Sequence, residues 1–262
     1  MASTALWIIA AALILASPAV ARGVTPVSIA WMALSGIMGL SIGDFFYFKA
    51  LTYLGPRRTL QILTAVPIVS AIGAWFFLHE ILSGFAVAGI TLTVGAILTI
   101  NWFDKKEKVT AEPGRFSNRG IGFAVLGTLC QGAGAVLMRQ AYRSAGELNT
   151  IVATAIRISA AGTVLVLLAL VSGKIGGAVK AVPSRHAFGR LAFGTALGPV
   201  LGMLFYVASL KFAPAGIAST MSSLSPVLII PITAWRYKTR VNWIAMVVMA
   251  VAISGVILIF HK

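Results

Sequence analysis

A stretch from Gly39 to Pro67 is repeated from Gly198 to Pro226, and this duplication constrains the fold more than any other feature of the sequence. GLSIGDFFYFKAL begins at Gly39 and GPVLGMLFYVASL begins at Gly198, in a register offset by 159 residues. Glycine, tyrosine and proline have positional roles in backbone and packing, so their coincidence favours an internal duplication over chance apolar similarity. The matched pairs are Gly39 with Gly198, Gly43 with Gly202, Phe46 with Phe205, Tyr47 with Tyr206, Leu51 with Leu210 and Pro67 with Pro226.

The composition is that of a membrane protein. Of the 262 residues, 59% are hydrophobic and 10% are charged, and the mean hydropathy is +0.95. A chain of this size cannot bury so much apolar surface in a water-soluble core. A helix of about 20 apolar residues crosses the hydrocarbon layer and satisfies its own backbone hydrogen bonds. The long apolar runs therefore predict an all-α polytopic membrane protein.

Charge and cysteine content narrow the class further. A net charge of +15 would favour nucleic-acid binding in a soluble protein, but in a membrane protein it reports orientation, because basic residues collect in cytoplasmic loops. We expect no nucleic-acid partner and multi-pass insertion into the inner or plasma membrane. The single cysteine, Cys130, excludes an intrachain disulfide. No cluster of Cys and His predicts a metal site, and no cofactor is expected.

A polar linker separates two apolar halves. We predict a first repeat at residues 1–103, a linker at 104–119 and a second repeat at 120–262. The apolar runs that predict membrane spans lie at about 4–21, 28–52, 59–78 and 84–103 in the first repeat, and at about 120–142, 149–172, 190–212, 216–235 and 242–260 in the second.

The two repeats differ by one predicted span. The run at about 120–142 has no counterpart in the first repeat, so four plus five helices stand where a five-plus-five design is expected. Either the chain natively lacks its first span or its start is truncated. Since five is an odd number, two such halves enter the membrane in opposite senses. Inverted helical repeats of this kind are typical of secondary transporters, whose substrate site lies near the midplane between the repeats.

The duplicated segments resemble the EamA-type carriers of the drug/metabolite transporter superfamily. The resemblance rests on GDFFYFKAL at 43–51, on LHE at 78–80 and on six further residues, Pro67, Gly95, Gly198, Gly202, Pro226 and Gly255. It implies a ten-helix carrier of small metabolites whose central cavity is lined by the third and fourth spans of each half. The chain departs from the family in its missing first span and in YKT at 237–239, where the first repeat has LHE.

Two charged residues lie inside predicted spans. An ionised Asp44 is costly there unless it faces a cavity or a partner, so it is a candidate for substrate binding or proton coupling. The alternative is a polar residue near the interface that a neighbouring helix satisfies. Arg157 is a candidate contact for an anionic substrate, or else a structural arginine between helices. The repeat pairs Asp44 with Met203, so the fold itself does not require a carboxylate at this position.

Polar and aromatic residues complete the predicted substrate site. Tyr47 and Tyr206 are repeat mates whose rings suit a cavity wall, although helix packing explains them equally well. Pro67 and Pro226 should kink their helices and free backbone carbonyls at depth. The remaining candidates offer hydroxyl or amide groups near these prolines or in the unmatched span: Gln61, Thr64, Gln131, Ser222 and Ser223.

These patterns predict a secondary transporter, an exporter or exchanger of a small organic metabolite that works by alternating access. The sequence has no paired nucleophile and base, no HExxH and no phosphate loop, so we do not expect an enzyme. The expected partners are a small-molecule substrate and the lipid bilayer, while a coupling proton and a homodimer remain open. The alternative is a non-transporting membrane partner or scaffold, or a carrier remnant inactivated by loss of the first span.

Overall fold

A computed structural model of the chain describes residues 24–103, 117–145, 147–171, 201–224 and 243–260. Every regular element in these ranges is helical. The elements are α1 Pro26–Gly36, a π-helical segment Ile37–Gly43, α2 Asp44–Leu54, α3 Pro56–Leu63, α4 Val66–Leu78, α5 Gly84–Phe103, α6 Asn118–Ala145, α7 Thr150–Val171, α8 Leu201–Phe212, α9 Ala215–Ser222 and α10 Trp243–Phe260. The predicted run at about 4–21 and the linker core lie outside the described residues.

Four helical stretches are long and apolar enough to cross a membrane: Pro26–Leu54, Arg58–Leu78, Asn118–Ala145 and Thr150–Leu168. Their outer faces present large apolar side chains, including Trp75 and Phe77, which are 61% and 73% exposed. In water such faces would promote aggregation, whereas lipid tails solvate them. The expected all-α, polytopic membrane fold is thus confirmed, and the chain is a multi-pass membrane protein.

The chain forms two compact units, and each takes residues from both halves of the sequence. Unit one contains the described residues of Met1–Ile42 and Leu137–Phe212, and unit two contains those of Gly43–Val136 and Ala213–Lys262. Each unit is described separately below.

In unit one, α1 packs tightly against α7. A side chain at Gly36 would collide with the backbone carbonyl of Arg157, so the absence of a Cβ permits this approach. The hydroxyl of Ser41, in the π-helical segment, donates to the carbonyl of Ala161 in α7 at 3.0 Å. At the end of α8, the Arg139 guanidinium donates to the carbonyls of Leu210 and Lys211, both at 2.9 Å. This arginine thereby satisfies carbonyls that a helix end leaves without intrahelical partners.

In unit two, the closely packed helix pairs also depend on small residues. A Cβ at Gly89 of α5 would collide with the carbonyl of Gly255 in α10, and Thr93 donates to Ala252 at 3.5 Å. Small residues let the backbones approach because no bulky side chain lies between them. This close packing stabilises helix association in lipid, where no hydrophobic force drives it. A Cβ at Gly216 of α9 would lie 2.7 Å from the Cβ of Ala71 in α4.

The turn after α4 is held to α9 by a carboxylate. His79 ends α4 in the left-handed conformation, with φ 52°, and Glu80 follows it. The Glu80 side chain is buried and accepts a hydrogen bond from the backbone N–H of Ala215 at 3.2 Å. Ala215 is the first residue of α9, so the carboxylate caps the positive end of that helix.

Candidate functional site

Asp44 begins α2 directly after the π-helical segment Ile37–Gly43. Its carboxylate accepts a hydrogen bond from the side-chain amide of Gln131 on α6, at 3.4 Å between Nε2 and Oδ1. These two predicted site residues are 87 positions apart in sequence, and both are half-buried in unit two. Since π-helical turns occur frequently at functional sites, the segment preceding Asp44 marks the same place independently.

A glycine on α6 sets the distance between Asp44 and Gln131. A Cβ at Gly127, one turn before Gln131, would lie 3.3 Å from the backbone nitrogen of Tyr47 and 3.4 Å from the carbonyl of Gly43. The two backbones are therefore close at the start of α2. Further along the pair, the rings of Phe46 and Phe123 stack with centroids 6.0 Å apart.

The end of α3 meets the same face of α6. The hydroxyl of Thr128 lies 3.4 Å from the carbonyl of Ile62 and 2.8 Å from that of Ala124. Ile62 is in the last turn of α3, and its carbonyl also accepts from the backbone N–H of Ala65 at 3.1 Å. Thr128 and Gln131 are three residues apart and so lie on one face of α6. The Asp44 carboxylate is thus hydrogen-bonded to this face, and the Ile62 carbonyl lies 3.4 Å from the Thr128 hydroxyl on the same face.

Gln61 and Thr64 flank the break between α3 and α4. Gln61 is half-buried, while Thr64 is buried and its hydroxyl donates to the carbonyl of Leu60 at 2.9 Å. The chain turns at Thr64 and Ala65, and Pro67 lies in the first turn of α4. A missing N–H has no consequence in a first turn, because that group has no helical acceptor.

Ser222 and Ser223 end the short helix α9. Their hydroxyls donate to the carbonyls of Ala218 and Ser219, at 3.2 and 3.0 Å. Both hydroxyls therefore bond within their own helix. Pro226 lies outside the described residues.

The two predicted tyrosines lie in different units. Tyr47 follows Asp44 by one turn of α2 and is half-buried, and its ring centroid is 5.3 Å from that of Phe48. Tyr206 lies in α8 of unit one and is also half-buried. The hydroxyl of Ser209 donates to the Tyr206 carbonyl at 2.7 Å.

Arg157 is almost fully buried in unit one, at 4% exposure. Its Nη1 donates to the hydroxyl of Ser35 on α1 at 2.9 Å. This contact joins α1 to α7 beside the close approach at Gly36, which is what an interhelical structural arginine does. A substrate contact of Arg157 stays a prediction.

Sequence reasoning missed Thr128 and Ser35, and it did not identify Ala215 as the partner of Glu80. Thr128 could have been found, because it precedes Gln131 by three residues and shares its helical face. Nothing in the sequence pairs Ser35 with Arg157 or Glu80 with Ala215, since each pair is more than a hundred residues apart. Across the described ranges no group of His, Cys, Asp and Glu is arranged to hold a metal ion.

Comparison with known proteins places the sequence in a family. The sequence matches the EamA-like transporter family over residues 1–102 and 118–261. The fold resembles a crystal structure of a protein that is 18% identical, with a TM-score of 0.69, over 98% of this chain and 86% of the other. At that identity the likeness concerns the fold alone. None of the curated proteins matches the sequence. The chain belongs to the EamA-like transporter family and is a membrane transporter, as the resemblance of its duplicated segments predicts.

Proposed function

We propose that this protein is a secondary transporter, an exporter or exchanger that moves a small organic metabolite across the inner or plasma membrane by alternating access. Family membership and the apolar helices support the membrane and transport parts of the proposal. The break between α3 and α4 supports the mechanism. Carriers of this type bind solutes where discontinuous helices offer backbone groups at depth.

The substrate site in this proposal is the polar cluster of unit two, formed by Asp44, Gln131 and Thr128 with the carbonyl end of α3. The observation that carries the proposal is the hydrogen bond between Gln131 and Asp44. It joins two polar side chains of separate membrane-spanning stretches, where an isolated polar group costs free energy. Tyr47, one turn from Asp44, and Gln61, at the break of α3, contribute an aromatic wall and an amide beside it.

Asp44 also couples transport to protons in this proposal. A carboxyl group inside a membrane protein can take up a proton when the cavity opens to one side and release it when the cavity opens to the other. Gln131 can hydrogen-bond to either protonation state, because an amide carries both donor and acceptor groups. The neutral and charged forms of Asp44 therefore both have a partner.

Transport assays in proteoliposomes test the proposal. The purified chain is reconstituted and supplied with a panel of labelled amino acids, amines and organic acids under an imposed pH gradient. We expect saturable flux of at least one solute in the parent, and loss of pH-driven accumulation in Asp44→Asn. Met203→Leu alters the repeat mate of Asp44 and serves as the control, with flux close to the parent.

Two results would count against the proposal. Equal pH-driven accumulation by Asp44→Asn and the parent would remove Asp44 from proton coupling. Absence of flux for every solute in a folded parent would favour the alternative of a non-transporting membrane partner.

A further inference from the structure

We propose that the Asp44 cluster recognises a protonated amine, so that the substrate is an organic ammonium compound with an apolar or aromatic body. This inference rests on the function proposed above and names the substrate class of the same site. Charge, helix geometry and aromatic surroundings carry it.

The position of the acidic residues is the first step. The six acidic residues of the chain are Asp44, Glu80, Asp104, Glu107, Glu112 and Glu147. Glu80 lies in the turn after α4 and Glu147 in the connection before α7, while Asp104, Glu107 and Glu112 belong to the linker segment. Asp44 is therefore the acidic residue that falls within an apolar spanning stretch, Pro26–Leu54. In a chain with a net charge of +15, negative charge at depth is concentrated at this one place.

A backbone carbonyl lies on the same face of α6 as the carboxylate. The carbonyl of Ile62, in the last turn of α3, is 3.4 Å from the Thr128 hydroxyl and also accepts from the Ala65 N–H. Gln131, three residues after Thr128 on the same face, donates to the Asp44 carboxylate. This face of α6 is therefore bordered by one carboxylate and one carbonyl dipole. An anionic solute placed there would be repelled by the carboxylate, and a cationic solute attracted by it.

The nearest lysine in sequence lies on another side of α2. Lys49 follows Asp44 by five residues, which at 3.6 residues per turn is well round the helix from the carboxylate. Its ammonium lies 5.9 Å from the ring centroid of Phe45, and the side chain is exposed. The Lys49 charge is thus directed along the outer surface of α2 rather than towards Gln131.

Aromatic rings beside the cluster suit the body of such a solute. Tyr47 is one turn from Asp44, and the stacked pair of Phe46 and Phe123 lies along the same helix pair. An ammonium group is attracted by an aromatic face, and by more when water is excluded. The Gln131 amide adds an acceptor oxygen that an N–H of the solute can use. Together these groups favour a primary amine joined to an aromatic or apolar body.

Equilibrium binding to the full chain in lipid nanodiscs tests the inference. The probes are phenethylamine, 2-phenylethanol and 3-phenylpropionate, which share an aromatic body and differ in charge. Calorimetry should give phenethylamine a Kd at least tenfold lower than either of the other two. Asp44→Asn should weaken phenethylamine binding at least tenfold, while Asp44→Glu, which keeps the charge, should retain most of it. Met203→Leu is the control and should bind as the parent does.

The outcomes separate the inference from the transport proposal. Equal or tighter binding of 3-phenylpropionate would overturn the inference, as would phenethylamine binding that survives Asp44→Asn. A titration with sodium chloride against choline chloride forms a second arm. Binding of sodium with none of the amine would assign the site to an inorganic cation and also overturn it. Amine binding without flux would leave the inference standing and the transport proposal refuted. Asp44-dependent flux of a non-amine solute, without amine binding, would refute the inference and leave the transport proposal standing.

Discussion

The two short helices of unit two, α3 and α9, have the same bounds in the two repeats and different chemistry. Helix α3 spans Pro56–Leu63 and α9 spans Ala215–Ser222, so their bounds agree at the 159-residue offset of the sequence duplication. Thr64 and Ser223 end them with the same bonds: each backbone N–H donates to the carbonyl four residues earlier, and so does each hydroxyl. Even the following residues agree, because Ala65 and Leu224 donate to Ile62 and Met221 at 3.1 and 3.2 Å.

The side chains of and around α3 and α9 do not follow this symmetry. Gln61 in α3 corresponds to Thr220 in α9, whose hydroxyl bonds to its own helix at Gly216. Asp44, ahead of α3, corresponds to Met203, ahead of α9. The two copies thus supply two helices that end in the same way, while one copy alone supplies a carboxylate. The comparison teaches that the scaffold of this transporter is repeated and that its chemistry is local.

Exchanging the carboxylate between the copies should have the largest effect. Asp44→Met combined with Met203→Asp keeps the composition but moves the charge. Because Gln131 is bonded to the first-copy position, we expect transport to fall about tenfold, as we also expect for Asp44→Met alone. The initial rate of solute transport into proteoliposomes measures this fall. Recovery of flux in the double variant would show that the two copies are chemically equivalent.

Crowding the contact of α9 should destabilise the fold. In Gly216→Leu the new side chain meets Ala71, whose Cβ lies 2.7 Å from the position of a Cβ at residue 216. Overpacking of this kind costs about 1–3 kcal/mol, so the Tm of the detergent-solubilised protein should drop by several degrees. Gly95→Leu is the matched control, since a Cβ there meets nothing within 4 Å. Equal Tm values for the two variants would contradict the close α4–α9 contact.

Removing the carboxylate that caps α9 should have a smaller effect. Glu80→Ala deletes the acceptor for the Ala215 N–H, and Glu80→Gln keeps an acceptor oxygen without the charge. A lost helix cap costs about 0.5–2 kcal/mol, so Tm should fall most in the alanine variant and less in the glutamine variant. Glu147→Gln, at an exposed position, should leave Tm unchanged. A Glu80→Ala protein as stable as the parent would exclude the capping role.

The similar ends of α3 and α9 predict the smallest effects, which are on stability. Thr64→Val and Ser223→Ala each remove one hydroxyl bond to the carbonyl four residues earlier. A bond of this kind contributes on the order of 1 kcal/mol or less, so both variants should lose little stability and lose it equally. Denaturation midpoints of the two proteins, measured side by side, compare them. A large difference between the two midpoints would show that α3 and α9 share their bounds but not the energetics of their ends.

The helical stretches followed from local pattern, but their internal irregularities did not. Apolar run length predicts a helix over about 28–52, and the structure has helix from Pro26 to Leu54. Within it, residues Ile37–Gly43 are π-helical, which no periodicity of the sequence indicates. Hydropathy reports burial in lipid and is insensitive to a change of hydrogen-bond register inside a helix.

What the sequence determined by itself was the class of the protein and the approximate extent of its membrane-spanning helices. Apolar length sets these helices, because a backbone in lipid must satisfy its own hydrogen bonds along the same segment. The tertiary structure alone decided which polar side chains meet. Asp44 bonds Gln131 since Gly127 lets α6 approach α2, and Arg157 bonds Ser35 beside Gly36. These contacts join residues far apart in sequence, and the packing that brings them together depends on the whole fold rather than on any one segment.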